Sequence, residues 1–181
     1  MVTPSSIPNG VPQGNEVEAI DRSQRYAATP GELQARPQWL CWRTEWRNGK
    51  RTRVPVNPRT GRLAKVDDPT TWGTFEEAQA AASRLQCDGV GFVFTADDPY
   101  CGIDLDKCRD PETGETEAWA AKIVERMNSY TEVSPSGTGL HIIVRGKLPP
   151  GPRRKGRVEF YDQGRYFTMT GDVVTAVEFE R

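Results

Sequence analysis

Two aspartates separated by a single residue form the part of this sequence best suited to chemistry. They lie in the run Cys101-Gly-Ile-Asp-Leu-Asp106, whose composition predicts a strand. Because side chains alternate between the two faces of a strand, Asp104 and Asp106 would stand together, opposite Ile103 and Leu105. Carboxylates this close repel each other unless a cation lies between them, and Mg²⁺ or Mn²⁺ is the usual one. The pair predicts a divalent metal site, with an exposed edge strand bearing two solvated acids as the alternative.

Two later runs place further polar groups by the same alternation. In Leu140-His-Ile-Ile-Val-Arg145 the apolar residues share one face and leave His141 on the other, and in Arg157-Val-Glu-Phe-Tyr161 the residue left opposite is Glu159. If these strands pair with the first, all four polar side chains project from one face. Three carboxylates there predict a two-metal site, and the histidine predicts a phosphate ligand beside it. A lone histidine is more often structural, but its place on a polar face favours the functional interpretation.

A glycine-rich loop, Ser134-Pro-Ser-Gly-Thr-Gly139, directly precedes the histidine strand. Glycines can take positive φ and expose successive backbone amides, and the hydroxyls add further hydrogen-bond donors. The loop is therefore a candidate phosphate cradle. Such loops are common, and a simple hairpin turn is an equal alternative.

The charges are segregated along the chain although the net charge is only −1. Residues 43–65 carry eight basic side chains against Glu45, residues 145–157 carry six and no acid, and residues 97–117 between them hold eight acids against two bases. This pattern suits a protein that holds phosphates at its edges and divalent cations at its centre, although solvated loops would give the same pattern. The basic side chains expected to contact nucleic acid are Arg51, Arg53, Arg153 and Arg154. Trp42, Trp46 and Trp72 are candidates for stacking on unpaired bases, although tryptophan is more often a core residue.

Composition places the 181-residue chain among soluble globular proteins, with 36% hydrophobic and 27% charged residues. No apolar run approaches the roughly 20 residues that span a bilayer, and the N-terminus lacks a signal-peptide pattern, so we expect a cytoplasmic protein. The four cysteines form no CxxC pair, which excludes a zinc ribbon, and we expect them to be reduced and mostly buried.

The order of elements predicts an α+β fold with a largely antiparallel sheet. Residues 1–30 are rich in Pro, Ser, Gly and Asn and predict a disordered tail. A capping box at Thr74 and Glu77 predicts one helix, and an apolar face over 117–127, with Thr116 as the N-cap candidate, predicts another. The expected strands cover 39–42, 53–57 (at an edge because of Pro55), 90–95, 100–106, 130–134, 140–145, 157–161 and 166–170.

Taken together, three segments resemble the motifs of archaeo-eukaryotic-type primase-polymerases, particularly those encoded by phages, plasmids and other mobile elements. The segments are Gly102-Ile-Asp-Leu-Asp106, Ser134-Pro-Ser-Gly-Thr-Gly-Leu-His141, and Val158-Glu-Phe-Tyr-Asp162 followed by Gly164-Arg-Tyr-Phe-Thr-Met-Thr-Gly171. Residues 53–61 and 68–72 also look like the N-terminal module of that group. The resemblance covers roughly residues 36–175, and the order and spacing of the motifs are more specific than any one of them.

The resemblance implies a fold and a set of roles. The catalytic domain covers residues 31–181 and has two modules. Residues 31–98 form a smaller N-terminal α/β module, and residues 99–175 form a catalytic sheet like that of RNA-recognition motifs. The metal-binding catalytic acids are Asp104, Asp106 and Glu159. Asp162 is a rival third acid, but alternation places it on the opposite face. The nucleotide-binding residues are Ser136, Gly137, Thr138, Gly139, His141 and Arg165. The family often has serine where this chain has Gly139, so the triphosphate contact falls to Ser136, Thr138 or backbone amides.

The implied activity is metal-dependent, template-directed nucleotidyl transfer from (d)NTPs, for primer synthesis or DNA extension. Its partners are a single-stranded DNA template, a primer and nucleoside triphosphates, and a helicase would be a further domain or partner. One rival is a two-metal nuclease, which the phosphate loop disfavours because a nuclease has no triphosphate to bind. A relaxase needs a pair of metal-binding histidines, whereas this chain has one histidine. The other rival is a non-catalytic single-stranded nucleic-acid-binding module, which leaves the co-facial acids unexplained.

Overall fold

The computed structural model describes residues 24–175 and supports the predicted α+β class. The helices are α1 (Gly31–Gln34), α2 (Phe75–Arg84) and α3 (Ala118–Met127), with a 3₁₀ turn at Pro69–Thr71. The strands are β1 (Trp39–Arg47), β2 (Lys50–Val56), β3 (Gly89–Phe94), β4 (Tyr100–Leu105), β5 (Thr131–Val133), β6 (Leu140–Arg145), β7 (Arg154–Lys155), β8 (Val158–Tyr161), β9 (Arg165–Thr168) and β10 (Val173–Thr175).

These strands form two antiparallel sheets. The four-stranded sheet has the order β2-β1-β3-β9, and the six-stranded sheet has the order β10-β5-β6-β4-β8-β7. Strand β9 pairs with β3, although its residues fall within the expected C-terminal module. The two sheets therefore do not separate cleanly at residue 98, because the chain returns to the first sheet after forming most of the second.

Local sequence signals explain several elements. Thr74 caps α2 by accepting from the Glu77 amide, and the Glu77 side chain accepts from the Thr74 amide, as predicted. Asn48 and Gly49 connect β1 to β2 with φ of 51° and 72°, the two left-handed residues that a tight hairpin turn requires. Strand β2 lies at the edge of its sheet, where the missing amide of Pro55 is tolerated.

The core has layers on both sides of the second sheet. One face of the first sheet and α2 share a cluster that includes Trp39, Phe75 and Phe92, and this cluster continues through Phe167 to Ile143 of the second sheet. On the far side of the second sheet, half-buried apolar residues of α3 pack over Leu105, Leu140 and Ile142. Successive side chains of β4 and β6 therefore pack alternately against α3 and against the first sheet.

The described residues correct some expectations. Glu117, not Thr116, occupies the N-cap position of α3 and makes no side-chain capping bond. Strands β7 and β10 were not predicted. Residues 24–30 pack against the core instead of continuing a disordered tail, since Tyr26 is buried and Arg25 Nε donates to the Thr170 carbonyl at 2.6 Å. Residues 1–23 of the expected tail lie outside the described residues.

The cysteines are free thiols as expected, and Cys41, Cys101 and Cys108 are buried while Cys87 is partly exposed. None of the helices in the described part of the chain has the length and apolarity needed to cross a bilayer.

Candidate active site

Strand β4 lies between β6 and β8, so three of the predicted site residues share one row of the sheet. Asp104 is opposite His141 on β6 and opposite Glu159 on β8. The predicted pairing of the three strands is confirmed, and their polar residues occupy one face. Asp106 follows two residues beyond Asp104, and its amide donates to the Arg157 carbonyl at 2.8 Å.

Gly102 explains how this face comes to lie beside the first sheet. A Cβ at this glycine would stand 2.6 Å from the Phe167 ring and 2.7 Å from the Phe94 ring. The two sheets touch there because no side chain separates them. Two residues further along β4, Asp104 is 24% exposed. The face is therefore closed at Gly102 and opens towards solvent at Asp104.

Asp104 lies in an environment that disfavours its charge. Burial, followed by the negative charges of Asp106 and Glu159, raises the pKa of Asp104 to about 7, and the charges of Arg53 and Arg154 oppose this rise. Carboxylate oxygens are the ligands that Mg²⁺ and Mn²⁺ prefer, and a cation would relieve this repulsion. The donor set therefore fits a divalent metal ion.

The carboxylates nevertheless do not converge on one point. Among the described residues, no three His, Cys, Asp or Glu side chains stand close enough together to ligate a single ion. Glu159 is instead held by Arg154, whose Nη1 lies 2.8 Å from Oε1, and by the hydroxyl of Tyr161, which donates to Oε2. A metal ion bound by Glu159 would therefore compete with Arg154 and Tyr161 for this carboxylate.

Asp162, the rival third acid, lies away from this row. Its carboxylate is 3.6 Å from an Arg153 nitrogen and accepts a long hydrogen bond of 3.4 Å from the Leu148 amide. The strand register places Glu159, rather than this residue, opposite Asp104. The geometry therefore favours Glu159 as a partner of Asp104.

His141 is more enclosed than a simple surface ligand. Its ring stacks on Phe167, with centroids 4.4 Å apart and an interplanar angle of 15°, and only 9% of its side chain is exposed. Burial, and then the positive charge of Arg53, lowers the pKa of His141 to about 4, so the ring is neutral at pH 7. Nε2 lies 3.9 Å from Asp104 Oδ1, and a backbone contact with Thr168 partly opposes the lowering of the pKa of His141.

The loop from Ser134 to Gly139 is a hairpin turn between β5 and β6. The Gly137 amide donates to the Ser134 carbonyl at 2.9 Å, and Gly137 has a φ of 76°. The hydroxyls of Ser134, Ser136 and Thr138 form a chain, with oxygen–oxygen distances of 3.0 and 2.9 Å. The hairpin alternative is thus correct as a description of the backbone, and the exposed Ser136 hydroxyl is accessible to a ligand although it is hydrogen-bonded within the loop.

Gly139 is the position at which the sequence departs from the motif that it resembles. A Cβ there would stand only 2.6 Å from the Leu105 carbonyl oxygen and 3.1 Å from Ser134 Oγ. A side chain would require the loop or β4 to move. The close approach explains why glycine is suited to this position, and it leaves the hydroxyls of Ser136 and Thr138 as the nearest replacements for a serine.

A cavity of about 350 Å³ joins this loop to the first sheet. It is lined by Trp42, Thr44, Arg51, Arg53, Pro135 and Ser136. Arg53 connects the cavity to the acidic row, since its charge lowers the pKa values of both Asp104 and His141. The structure thus brings Ser136, Arg51 and Arg53 together, although the sequence assigned them to separate roles.

The other predicted basic residues lie elsewhere. Arg153 and Arg154 contact Asp162 and Glu159 at the β7–β8 edge. Arg165 is exposed at the start of β9, with its guanidinium carbon 5.5 Å from the centroid of the Tyr161 ring. Arg154 therefore borders the acidic row from the side of β8, whereas Arg53 acts on it from the first sheet, to which the Arg165 strand also belongs.

Glu132 lies on the same face of the sheet as His141 and Asp104, and the sequence patterns did not identify it. It pairs with His141 in the sheet register, is 1% exposed, and accepts from the Thr170 and Gly171 amides and the Tyr130 hydroxyl. Burial raises the pKa of Glu132 to about 7 despite these bonds. Alternation within the predicted strand 130–134 was a signal for its orientation, because it separates Glu132 from Thr131 and Val133.

Comparison with known proteins gives one informative similarity. No protein-family model matches the chain. The chain is 40% identical over 164 residues to a protein of Nitratiruptor phage NrS-1 described as a DNA primase-polymerase. This match covers 87% of the chain but 21% of the relative, so the chain spans about a fifth of the length of the curated relative that it matches. Over most of its described residues, the chain is therefore similar to one part of a phage DNA primase-polymerase.

Proposed function

We propose that this chain carries the catalytic site of a DNA primase-polymerase, a nucleotidyltransferase that joins nucleoside triphosphates on a single-stranded DNA template. The observation that carries the proposal is the row formed by Asp104, Glu159 and the nearby Asp106, next to a cavity lined by hydroxyls and arginines. The similarity to the phage relative supports it. In this proposal the six-stranded sheet corresponds to the catalytic module of the family, and most of the first sheet to its N-terminal module.

The acids would hold two divalent ions, Mg²⁺ or Mn²⁺. Asp104 and Asp106 supply adjacent carboxylates, and Glu159 supplies a third once it leaves Arg154. Bound ions in such sites favour deprotonation of the attacking 3′-hydroxyl and neutralise the triphosphate. Burial of Asp104 strengthens these interactions because the effective dielectric constant there is lower than in water.

The incoming triphosphate would lie between the loop and the acids. Ser136 and Thr138 offer hydroxyl donors, and the neutral His141 ring offers one N–H, while Arg53 adds positive charge from the first sheet. Arg165 would approach the same nucleotide from β9. These groups position the α-phosphorus for in-line attack, so the transfer needs no protein nucleophile.

Template and primer phosphates would contact the two basic edges. Arg51 and Arg53 lie on the first sheet, and Arg153 and Arg154 lie on the second. Because Arg154 is paired with Glu159, binding of an ion by Glu159 and of a phosphate by Arg154 would each weaken this ion pair. The two events would therefore favour each other.

The test is a polymerisation assay on a single-stranded template with labelled NTPs or dNTPs and either Mg²⁺ or Mn²⁺, with products sized on a gel. We expect extended products from the wild type and none from Glu159→Gln. Asp162→Asn is the matched control, since it removes an acid of the same segment that lies off the row, and it should retain transfer. Shortening of the template would indicate the nuclease, and template binding without products would indicate the non-catalytic module.

A further inference from the structure

The outer half of the β1–β2 hairpin extends beyond the rest of its sheet. Trp39 to Trp42 of β1 pair with β3, whereas residues 43–47 pair only with β2. At about 3.4 Å per residue, this two-stranded arm is roughly 17 Å long. Its tight Asn48-Gly49 turn fixes the register, so the two faces of the arm are well defined.

The two faces of the arm differ in how their arginines are paired. On one face, Glu45 lies between Arg43 and Arg47 and pairs with them at 2.8 and 2.9 Å. The other face carries Thr44 and Trp46, with Arg53 and Arg51 opposite them on β2. Neither of these two arginines forms an ion pair within residues 24–175. The first face, which also carries Lys50 opposite Arg47, holds an acid between two arginines, whereas the second, which we call the positive face, carries two arginines and no acid.

Trp46 is the unusual residue on the positive face. Its side chain is 73% exposed, whereas Trp42 and Trp72, the other candidates for base stacking, are both 5% exposed and belong to the interior. An indole this exposed contributes little to the stability of the arm. Its flat face, with Arg51 directly opposite on β2, has the composition of surfaces that stack unpaired bases and hold their phosphates.

The positive face is continuous with the candidate active site. Thr44, Arg51 and Arg53 line the cavity of about 350 Å³ that also contains Ser136. Side chains on one face of a strand repeat every two residues, or about 7 Å. The Trp46–Arg51 pair therefore lies about 7 Å farther out along the arm than the Thr44–Arg53 pair. Because consecutive stacked nucleotides are about 3.4 Å apart, this distance corresponds to one or two nucleotides.

From this geometry we propose that Trp46 stacks on an unpaired base of the single-stranded template just outside the candidate active site. Arg51 and Arg53 hold the phosphates of the neighbouring nucleotides, between Trp46 and the cavity. The proposal rests on the proposed function, since it assigns the template strand of that reaction to one surface. Duplex DNA does not fit as well, because paired bases do not expose their faces.

The experiment measures binding of a fluorescently labelled oligothymidine of about ten nucleotides by anisotropy, without metal or triphosphate. Trp46→Ala should weaken binding roughly 5- to 150-fold, as expected for the loss of one stacked base. Trp46→Phe should restore most of the affinity, and Trp46→Leu, which is apolar but cannot stack, should behave like Trp46→Ala. Leu63→Ala, at a residue that is 55% exposed, is the matched control and should bind within twofold of the wild type.

A blunt duplex of the same length separates stacking from charge. Trp46→Ala should leave duplex affinity within twofold of the wild type, because the arginines remain. Melting curves of the variants should coincide with that of the wild type, since Trp46 packs little against the fold. Equal single-strand affinity of Trp46→Ala and wild type overturns the proposal, as does full recovery by Trp46→Leu, which would indicate an apolar contact with the DNA instead of stacking.

The outcome is distinguishable from failure of the proposed function. If the chain makes no polymerised product but Trp46→Ala loses single-strand affinity, the enzymatic proposal fails and the stacking surface stands. If the wild type extends primers and Trp46→Ala binds the oligothymidine normally, the stacking surface alone is refuted.

Discussion

Glu132 provides a test of the electrostatics behind the candidate site, through the substitution Glu132→Gln. Its pKa of about 7, in place of the ordinary 4.5, means that ionisation of this buried side chain opposes folding. At about 1.4 kcal/mol per pKa unit, the cost reaches about 3 kcal/mol. Because the pKa of the folded state is raised, the stability from protonated Glu132 is fully present below pH 4.5 and is lost as the pH rises through 7.

Glutamine removes the titration but also one acceptor. Protonated Glu132 can donate to the Tyr130 hydroxyl oxygen and still accept from both the Thr170 and Gly171 amides. The amide nitrogen of glutamine cannot accept, so one of the two N–H groups loses its partner, at a cost of about 1–3 kcal/mol. We therefore expect Glu132→Gln to be less stable than wild type at pH 5, and the difference to shrink or reverse by pH 8.

The assay is urea unfolding of both proteins between pH 4.5 and 8.5, with metal removed. Asp104 also has a raised pKa and lowers the stability of both proteins over the same range, so only the difference between them reports on Glu132. A difference in the free energy of unfolding that stays constant over this range would refute the reasoning, since it would mean that Glu132 titrates normally.

The remaining predictions concern transfer and binding. Asp104→Asn and Asp106→Asn should each abolish nucleotide transfer in a folded protein. We expect Mn²⁺ to raise the melting temperature of the wild type but not that of either variant. Full activity in either variant would contradict the metal site. The double variants Arg51→Gln/Arg53→Gln and Arg153→Gln/Arg154→Gln should each lower the slope of log K against log salt for single-stranded DNA by about 1.4, measured by anisotropy, and an unchanged slope in both would show that these charges are only solvated. His141→Ala should weaken binding of a non-hydrolysable triphosphate roughly 10- to 100-fold by calorimetry while template binding is retained. Because His141 stacks on Phe167, some loss of stability is also expected, and a lowered melting temperature with unchanged nucleotide affinity would assign the residue a structural role.

Sequence patterns predicted the local parts of this structure. The capping box at Thr74 and Glu77, the edge strand at Pro55 and the alternation that aligns Asp104 with His141 and Glu159 each depend on residues close together in sequence or on strand periodicity. The Asn48-Gly49 dipeptide was a comparable signal for the β1–β2 hairpin, although the sequence analysis did not use it.

Features that depend on distant residues were not predicted. The stacking of His141 on Phe167, the charge of Arg53 beside the acids and the Arg154–Glu159 ion pair all arise from strand order and three-dimensional packing. Burial of Tyr26 was missed for the same reason, because its segment is polar in composition but packs against residues far along the chain. Short strands such as β7, with two residues, carry too little pattern to be recognised.

The pairing of β9 with β3 has a consequence for how this chain folds during synthesis. Gly91 pairs with Thr168, so the four-stranded sheet is incomplete until nearly the end of the described chain has emerged. Every proposed metal ligand precedes β9, yet Phe167 covers Gly102 and His141 only after β9 is in place. Until then β3 has an open edge, and such long-range pairing forms slowly. A chain truncated just before Arg165 would thus retain all three acids and His141 but lose the surface against which they are assembled.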